Sequence, residues 1–146
     1  MAASEETLTQ VGSNEARGSG DQHLHARSLV FICLLDDAGI RYQTLHNKQI
    51  SSSERKNGLN TDFDIIVLPS EDPHLVVKGE PAPDSPWKRY YSALPPGYQG
   101  GIGKQGVEAL QKFVREGGHL VCLNRASELV LKEFTPPVRN ILQGLK

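Results

Sequence analysis

The sequence has little of what most often announces a function. It holds two cysteines, Cys33 and Cys122, among 146 residues, with one methionine, one tryptophan and 6% aromatics. Two cysteines make neither a disulfide framework nor a four-ligand zinc site. Both sit in apolar runs, LVFICLL and HLVCL, where a free thiol packs as a small hydrophobe. No apolar run approaches the ~20 residues that cross a bilayer, so no transmembrane helix is expected. Net charge is scarce as well, at a formal −1. No bulk field therefore favours nucleic acid or an anionic membrane. The basic residues are scattered and no aromatic-basic module interrupts them, so nucleic acid is not an expected partner.

The chain also lacks the common phosphate signatures. Gly97, Gly100, Gly101 and Gly103 precede a helical pattern, but the spacing is not G-x-G-x-x-G and no strand leads into the loop. Lys104 is followed by Gln105, so the Gly-Lys-Ser/Thr of a phosphate loop is missing too. No cofactor is implied. The loop reads as a tight helix entry. A weaker reading is an anion cradle, because free N–H groups point outward at a helix start.

What is present reads as one α/β domain with a tail. Residues 1–24 are polar, with Leu8 and Val11 the only large apolar residues between its ends, Met1 and Leu24. Such a segment buries too little surface to offset its ordering entropy, and a disordered tail is expected. His23 and His25 close it. An HxH pair without a third ligand nearby reads as solvated, so no metal site is assigned. Residues 25–146 are expected to form the domain. The block from Leu29 to Leu35 fits a helix covered on most sides, or a buried strand. Ala38-Gly39 stops it, and RYQTLHN reads as a short strand ending at His46.

FDIIVLP, residues 63–69, is the clearest strand. Its run of branched apolar residues, Ile65 to Leu68, fits a central parallel strand covered on both faces. Residues 70–99 are expected to be a long proline-rich loop. Ser70 opens that loop at the carboxyl edge of the strand, where open α/β sheets bind ligands. Glu71, Asp72 and His74 follow, in a pattern that turn chemistry alone explains. A helix is expected over about Lys104 to Glu116, with Val107, Leu110 and Val114 on one stripe and Phe113 and Ala109 widening it. Gly117 and Gly118 end it, and HLVCL is the next buried strand. Strand, helix and strand make a right-handed βαβ unit with a long first connection.

The turn after HLVCL is the place for a nucleophile in an α/β enzyme. A nucleophile elbow needs Ser or Cys on a tight, glycine-flanked turn beside backbone N–H donors. Asn124 and Arg125 stand there instead. Ser127 comes three residues late and reads as a helix cap, with Glu128 in the first turn. No histidine follows Asn124. No catalytic residue is assigned. The candidate ligand-binding residues are Ser70, Gly100, Gly101, Gly103, Asn124 and Arg125. Residues 138–142, VRNIL, read as an edge strand.

At FDIIVLP, PPGYQGGIGKQGVEALQKFVREGGHLVCLNRASEL and PPVRNIL the chain resembles the class I glutamine amidotransferase-like domain at the C-terminus of some bacterial secreted zinc carboxypeptidase-family proteins. The likeness covers roughly residues 28 to 142, and Pro95 to Leu123 is its most specific part. It implies a flavodoxin-like α/β three-layer sandwich with a mainly parallel sheet. The first strand of that fold belongs before Leu29, where the sequence is polar, so the sheet is expected to lack it. The resemblance does not carry over zinc hydrolysis, because no HxxE pair occurs at any of the five histidines. Nor does it carry over a Cys-His-Glu triad, since Asn124 takes the cysteine's place.

Three functions follow as expectations. The first is a non-catalytic accessory domain, a fragment or remnant of a carboxypeptidase-family protein. It would pack on a zinc peptidase domain, bind a ligand, or self-associate through an exposed sheet edge. The second is a cysteine-dependent amidotransferase or hydrolase using Cys122 with His74 or His46. The third is a small-anion or sugar-binding module. A complete chain would be cytoplasmic, and a fragment of a peptidase-family protein secreted or periplasmic.

Overall fold

The computed structural model describes residues 8–11, 32–51, 58–86, 88–91 and 99–141. Four strands form one parallel sheet. They are β1 (Leu8–Val11), β2 (Tyr42–Leu45), β3 (Ile65–Leu68) and β4 (His119–Cys122), in the order β2-β1-β3-β4. Helix α1, described over residues 32–37, leads into β2. Four further helices follow: α2 (Asn47–Ser51), α3 (Pro73–Lys78), α4 (Gly103–Arg115) and α5 (Ser127–Glu133). Short 3-10 turns lie at Leu59–Thr61, Lys88–Tyr90 and Asn124–Ala126. No described helix is long and apolar enough to cross a membrane.

β3 holds the sheet together. Ile66, Val67 and Leu68 are 0%, 2% and 1% exposed, as expected of a strand covered on both faces. Its register partners run along β1 on one side and β4 on the other. Ile66 and Leu68 join Leu45 of β2 in the main core, under Val107, Leu110 and Phe113 of α4. Leu120 and Cys122 of β4 extend that face. The α4 stripe differs from expectation at one place. Phe113 is buried, whereas Val114 is 38% exposed. The step from Leu110 to Phe113 follows the 3.6 period, and Val114 has rotated past the core.

The C-terminus of α4 explains its double glycine. Gly117 takes φ +100°. Its N–H donates to Val114 O at 3.1 Å, and the Gly118 N–H donates to Phe113 O at 3.0 Å. These are the paired bonds of a Schellman cap, which needs the left-handed residue. A Cβ at Gly118 would lie 2.4 Å from the Phe113 ring, so this glycine keeps the core aromatic in place.

Two expectations are corrected. The sheet does not lack its first strand. Leu8–Val11, inside the segment read as a tail, pairs with β2 and with β3 and lies between them. Backbone pairing on both edges supplies what the local composition did not signal. The rest of the 1–24 segment, including His23, and His25 just after it lie outside the described residues. The second correction concerns residues 70–99, expected to be loop. They contain α3, whose first turn is capped by Asp72, with Pro73 at its start and Gly79 (φ +78°) at its end. Asp-Pro before an apolar pair and a glycine after it is a complete set of helix signals.

Three smaller expectations also change. Cys33 is exposed, because only one face of α1 is buried, at Leu35, while Leu34 is 60% exposed. Residues 138–141 form no strand. Ser127 is the first residue of α5, and its hydroxyl donates to Asn124 O at 2.6 Å.

Since β1 carries the pairing to both neighbours, removing residues 1–11 leaves β2 without a partner strand. The truncated chain is expected to lose its cooperative thermal transition in circular dichroism. An unchanged melting curve would show that β1 is dispensable.

Candidate functional site

A parallel sheet brings the carboxyl ends of its strands to one edge. The residues that follow β2, β3 and β4 therefore gather there. They are His46 and Asn47, then Ser70, Glu71 and Asp72, then Asn124 and Arg125. The ladder between β3 and β4 continues one residue further, with the Leu123 N–H donating to Leu68 O at 3.0 Å. This bond puts the Ser70 turn beside the Asn124 turn.

Asn124 has φ +49°. Asparagine tolerates the left-handed region because its short amide bonds locally. Here Nδ2 donates to Ser70 Oγ at 3.1 Å. The next residue, Arg125, forms an ion pair with Asp72 through Nη2 and Oδ2. The other Asp72 oxygen, Oδ1, accepts the His74 N–H at 2.8 Å. One carboxylate thus caps α3 and holds the guanidinium from the opposite turn. Glu71 lies between Ser70 and Asp72 in sequence, and is the only buried charged side chain among the described residues, at 7% exposure.

Of the six residues expected to bind a ligand, the structure joins Ser70 with Asn124 and sets Arg125 beside them. The glycine loop is tied instead to Asn47, which follows β2, and to α3. The Asn47 amide Nδ2 donates to Gly100 O at 2.6 Å, and the Ile102 N–H donates to Val76 O at 2.9 Å. A Cβ at Gly101 would lie 2.2 Å from Val77 O. Gly101 is therefore glycine because the loop lies directly on the end of α3. Gly100 and Gly103 have φ of +85° and +62°, which fits the tight helix entry. Tyr91 adds to this seat by donating its hydroxyl to Gly79 O. Trp87 lies outside the described residues.

Cys122 faces the core beside Leu120. Burial pushes its thiol up to about 11. At neutral pH only on the order of one molecule in ten thousand carries the thiolate that would attack a substrate. His74 Nδ1 donates to Glu80 O at 2.8 Å. His46 opens α2, where its N–H donates to Gln49 Oε1 at 2.7 Å. Among the described residues no three His, Cys, Asp or Glu side chains group as metal ligands do.

Ser70, Asn124 and Arg125 could be found from sequence because each follows an apolar strand. The role of Asp72 was harder to see. Its capping function is local and legible, but its pairing with Arg125 spans the sheet. Comparison of the chain with protein-family models, curated protein sequences and solved structures gives no match.

Two outcomes test this geometry. Iodoacetamide at neutral pH is expected to modify Cys33 in the native protein and to reach Cys122 only after denaturation. Full native modification of Cys122 would contradict its protonated, packed state. Separately, Asp72→Ala is expected to lower stability by about 1–2 kcal/mol through the lost cap. Arg125→Ala, an exposed ion pair, is expected to cost less than about 1 kcal/mol. Asp72→Asn retains the cap and should resemble Arg125→Ala in a denaturant titration. Equal losses for Asp72→Ala and Asp72→Asn would mean that the cap contributes nothing.

Proposed function

We propose that this chain is a non-catalytic α/β domain of the flavodoxin-like, class I glutamine amidotransferase-like kind. Its accessory role is to hold a small polar ligand at the carboxyl edge of its sheet. The observation that carries this is Asn124. It sits at the tip of β4 with positive φ, at the strand-to-helix turn where enzymes of this architecture place a nucleophile. An amide there binds and orients but does not attack. Ser70 is within hydrogen-bonding distance of it, and Arg125 adds a cation with a half-exposed side chain. The three offer donors suited to a carboxylate, a small oxyanion or a sugar hydroxyl.

The fold assignment has its own support. Four parallel strands in the order 2-1-3-4 agree with the flavodoxin-like order as far as they go. The chain steps one way from β1 to β2 and the other way from β2 to β3 and β4. On this reading, right-handed crossovers would put α1 on the face opposite α4. Val67 and Leu35 are buried at 2% and 5% yet stand outside the main core cluster, as a second covered face requires. A zinc peptidase domain, which the resemblance implies as a neighbour, is a partner on which such a domain would pack. The protonated, core-facing Cys122 weighs against the cysteine-enzyme alternative.

A thermal-shift panel of carboxylates, phosphate, sulfate and simple sugars tests the reading. A ligand at a hundred times its Kd adds about 2.7 kcal/mol to stability. At least one class is expected to raise the melting temperature of the unaltered protein. That rise is expected to vanish in Asn124→Ala and Arg125→Ala. Silence across the panel would overturn ligand binding, and ammonia released from glutamine would overturn the non-catalytic assignment.

A further inference from the structure

β4 is the outer strand of the sheet. β3 pairs with one of its edges, and among the described residues nothing pairs with the other. An unpaired strand edge is a template for another strand. Protection also ends here on the reverse face, since Val67 is 2% exposed while its register partner Val121 is 41% exposed.

The chain itself holds a segment that fits this edge. α5 packs on the same face as α4. Leu129 enters the core cluster with Leu110 and Phe113, and Gln111 Nε2 donates to Glu133 O at 2.7 Å. A right-handed crossover through a helix on that face delivers the following stretch beside the open edge of β4. That stretch is residues 138–141, and it holds the two most exposed large apolar side chains among the described residues, Val138 at 66% and Ile141 at 77%. They stand three residues apart, so in a strand they fall on opposite faces and one would cover each side of the sheet's margin.

Between α5 and this segment lies a stiff hinge. Thr135 takes φ +45°, a strained value for a β-branched residue. Pro136 and Pro137 follow with φ fixed by their rings, and the Val138 N–H donates back to Pro136 O at 2.7 Å. Residues 138–141 beyond this hinge are exposed and form no ladder with their own β4. Short strained hinges favour exchange of the segment between copies.

We propose that the chain dimerises by exchanging residues 138–141. The segment of one copy adds as a fifth parallel strand to the open β4 edge of a second copy, and the second returns the exchange. The arrangement is two-fold and closed, so it ends at a dimer. A formal charge of −1 per chain opposes it little.

Light scattering of the full chain across a micromolar to millimolar series tests this, using two variants at exposed positions. V121K blocks the accepting edge and keeps the donated segment. V138D/I141D spoils the segment and keeps the edge. The unaltered chain is expected to approach twice the monomer mass, and each variant alone to remain monomeric with a cooperative melt. Mixed together, the two variants keep one of the two strand additions, the V121K segment on the intact β4 edge of the other variant, and are expected to form a heterodimer at the high end of the concentration series. A monomeric unaltered chain overturns the proposal. So does a dimeric V138D/I141D variant, which would mean that β4 pairs with β4, and so does a mixture that stays monomeric. Thr135→Gly gives a check that does not depend on V121K folding. It relaxes the hinge without altering either surface and is expected to reduce the dimer fraction several-fold, and an unchanged fraction also overturns the proposal.

Discussion

All four strands of this sheet run the same way, and most of the structure follows from that constraint. Parallel neighbours cannot be joined by a tight hairpin, so each pair needs a crossover. The crossovers bring helices onto the sheet. They let a short strand such as β3 be buried completely, which a one-sided hairpin sheet would not do. The same constraint sends every strand's carboxyl end to one margin. Ser70 and Asn124, far apart in the chain, meet because β3 and β4 end level and the ladder runs one residue beyond them.

That margin is stabilised from within. Asp72 serves both the first turn of α3 and the guanidinium of Arg125. Asn124 is tied to Ser70 through its side chain and to Ser127 through its carbonyl. The turns are thus fixed to each other as well as to their own strands. Side chains held in this way keep little freedom of their own, and on the proposed reading that is the preorganisation a ligand site needs.

The legible parts of the fold were those whose signals are local. Ile65 to Leu68 is four branched apolar residues in a row, and α4 carries its period and its glycine stop within one stretch. β1 was not legible, because LTQV has no pattern of its own and owes its place to strands that come much later. α3 is obscured for another reason. The many prolines of residues 70–99 mimic a loop, although Asp72, Pro73 and Gly79 mark a short helix. At the site, Ser70, Asn124 and Arg125 follow apolar runs and could be placed. The glycines could be located as a helix entry, but their close approach to α3 depends on tertiary contacts that spacing does not record.

The position of β1 has a consequence for how the chain reaches its fold. This inner strand precedes both of its neighbours in sequence. Its two hydrogen-bonding edges must wait until β2 and β3 are available, and each pairing closes a long loop. Closing a loop loses entropy before any contact compensates, and sheets dominated by such distant pairings assemble slowly. The nucleus is then better sought in the compact β3–α4–β4 unit, onto which β1 pairs before β2 gains its only partner strand.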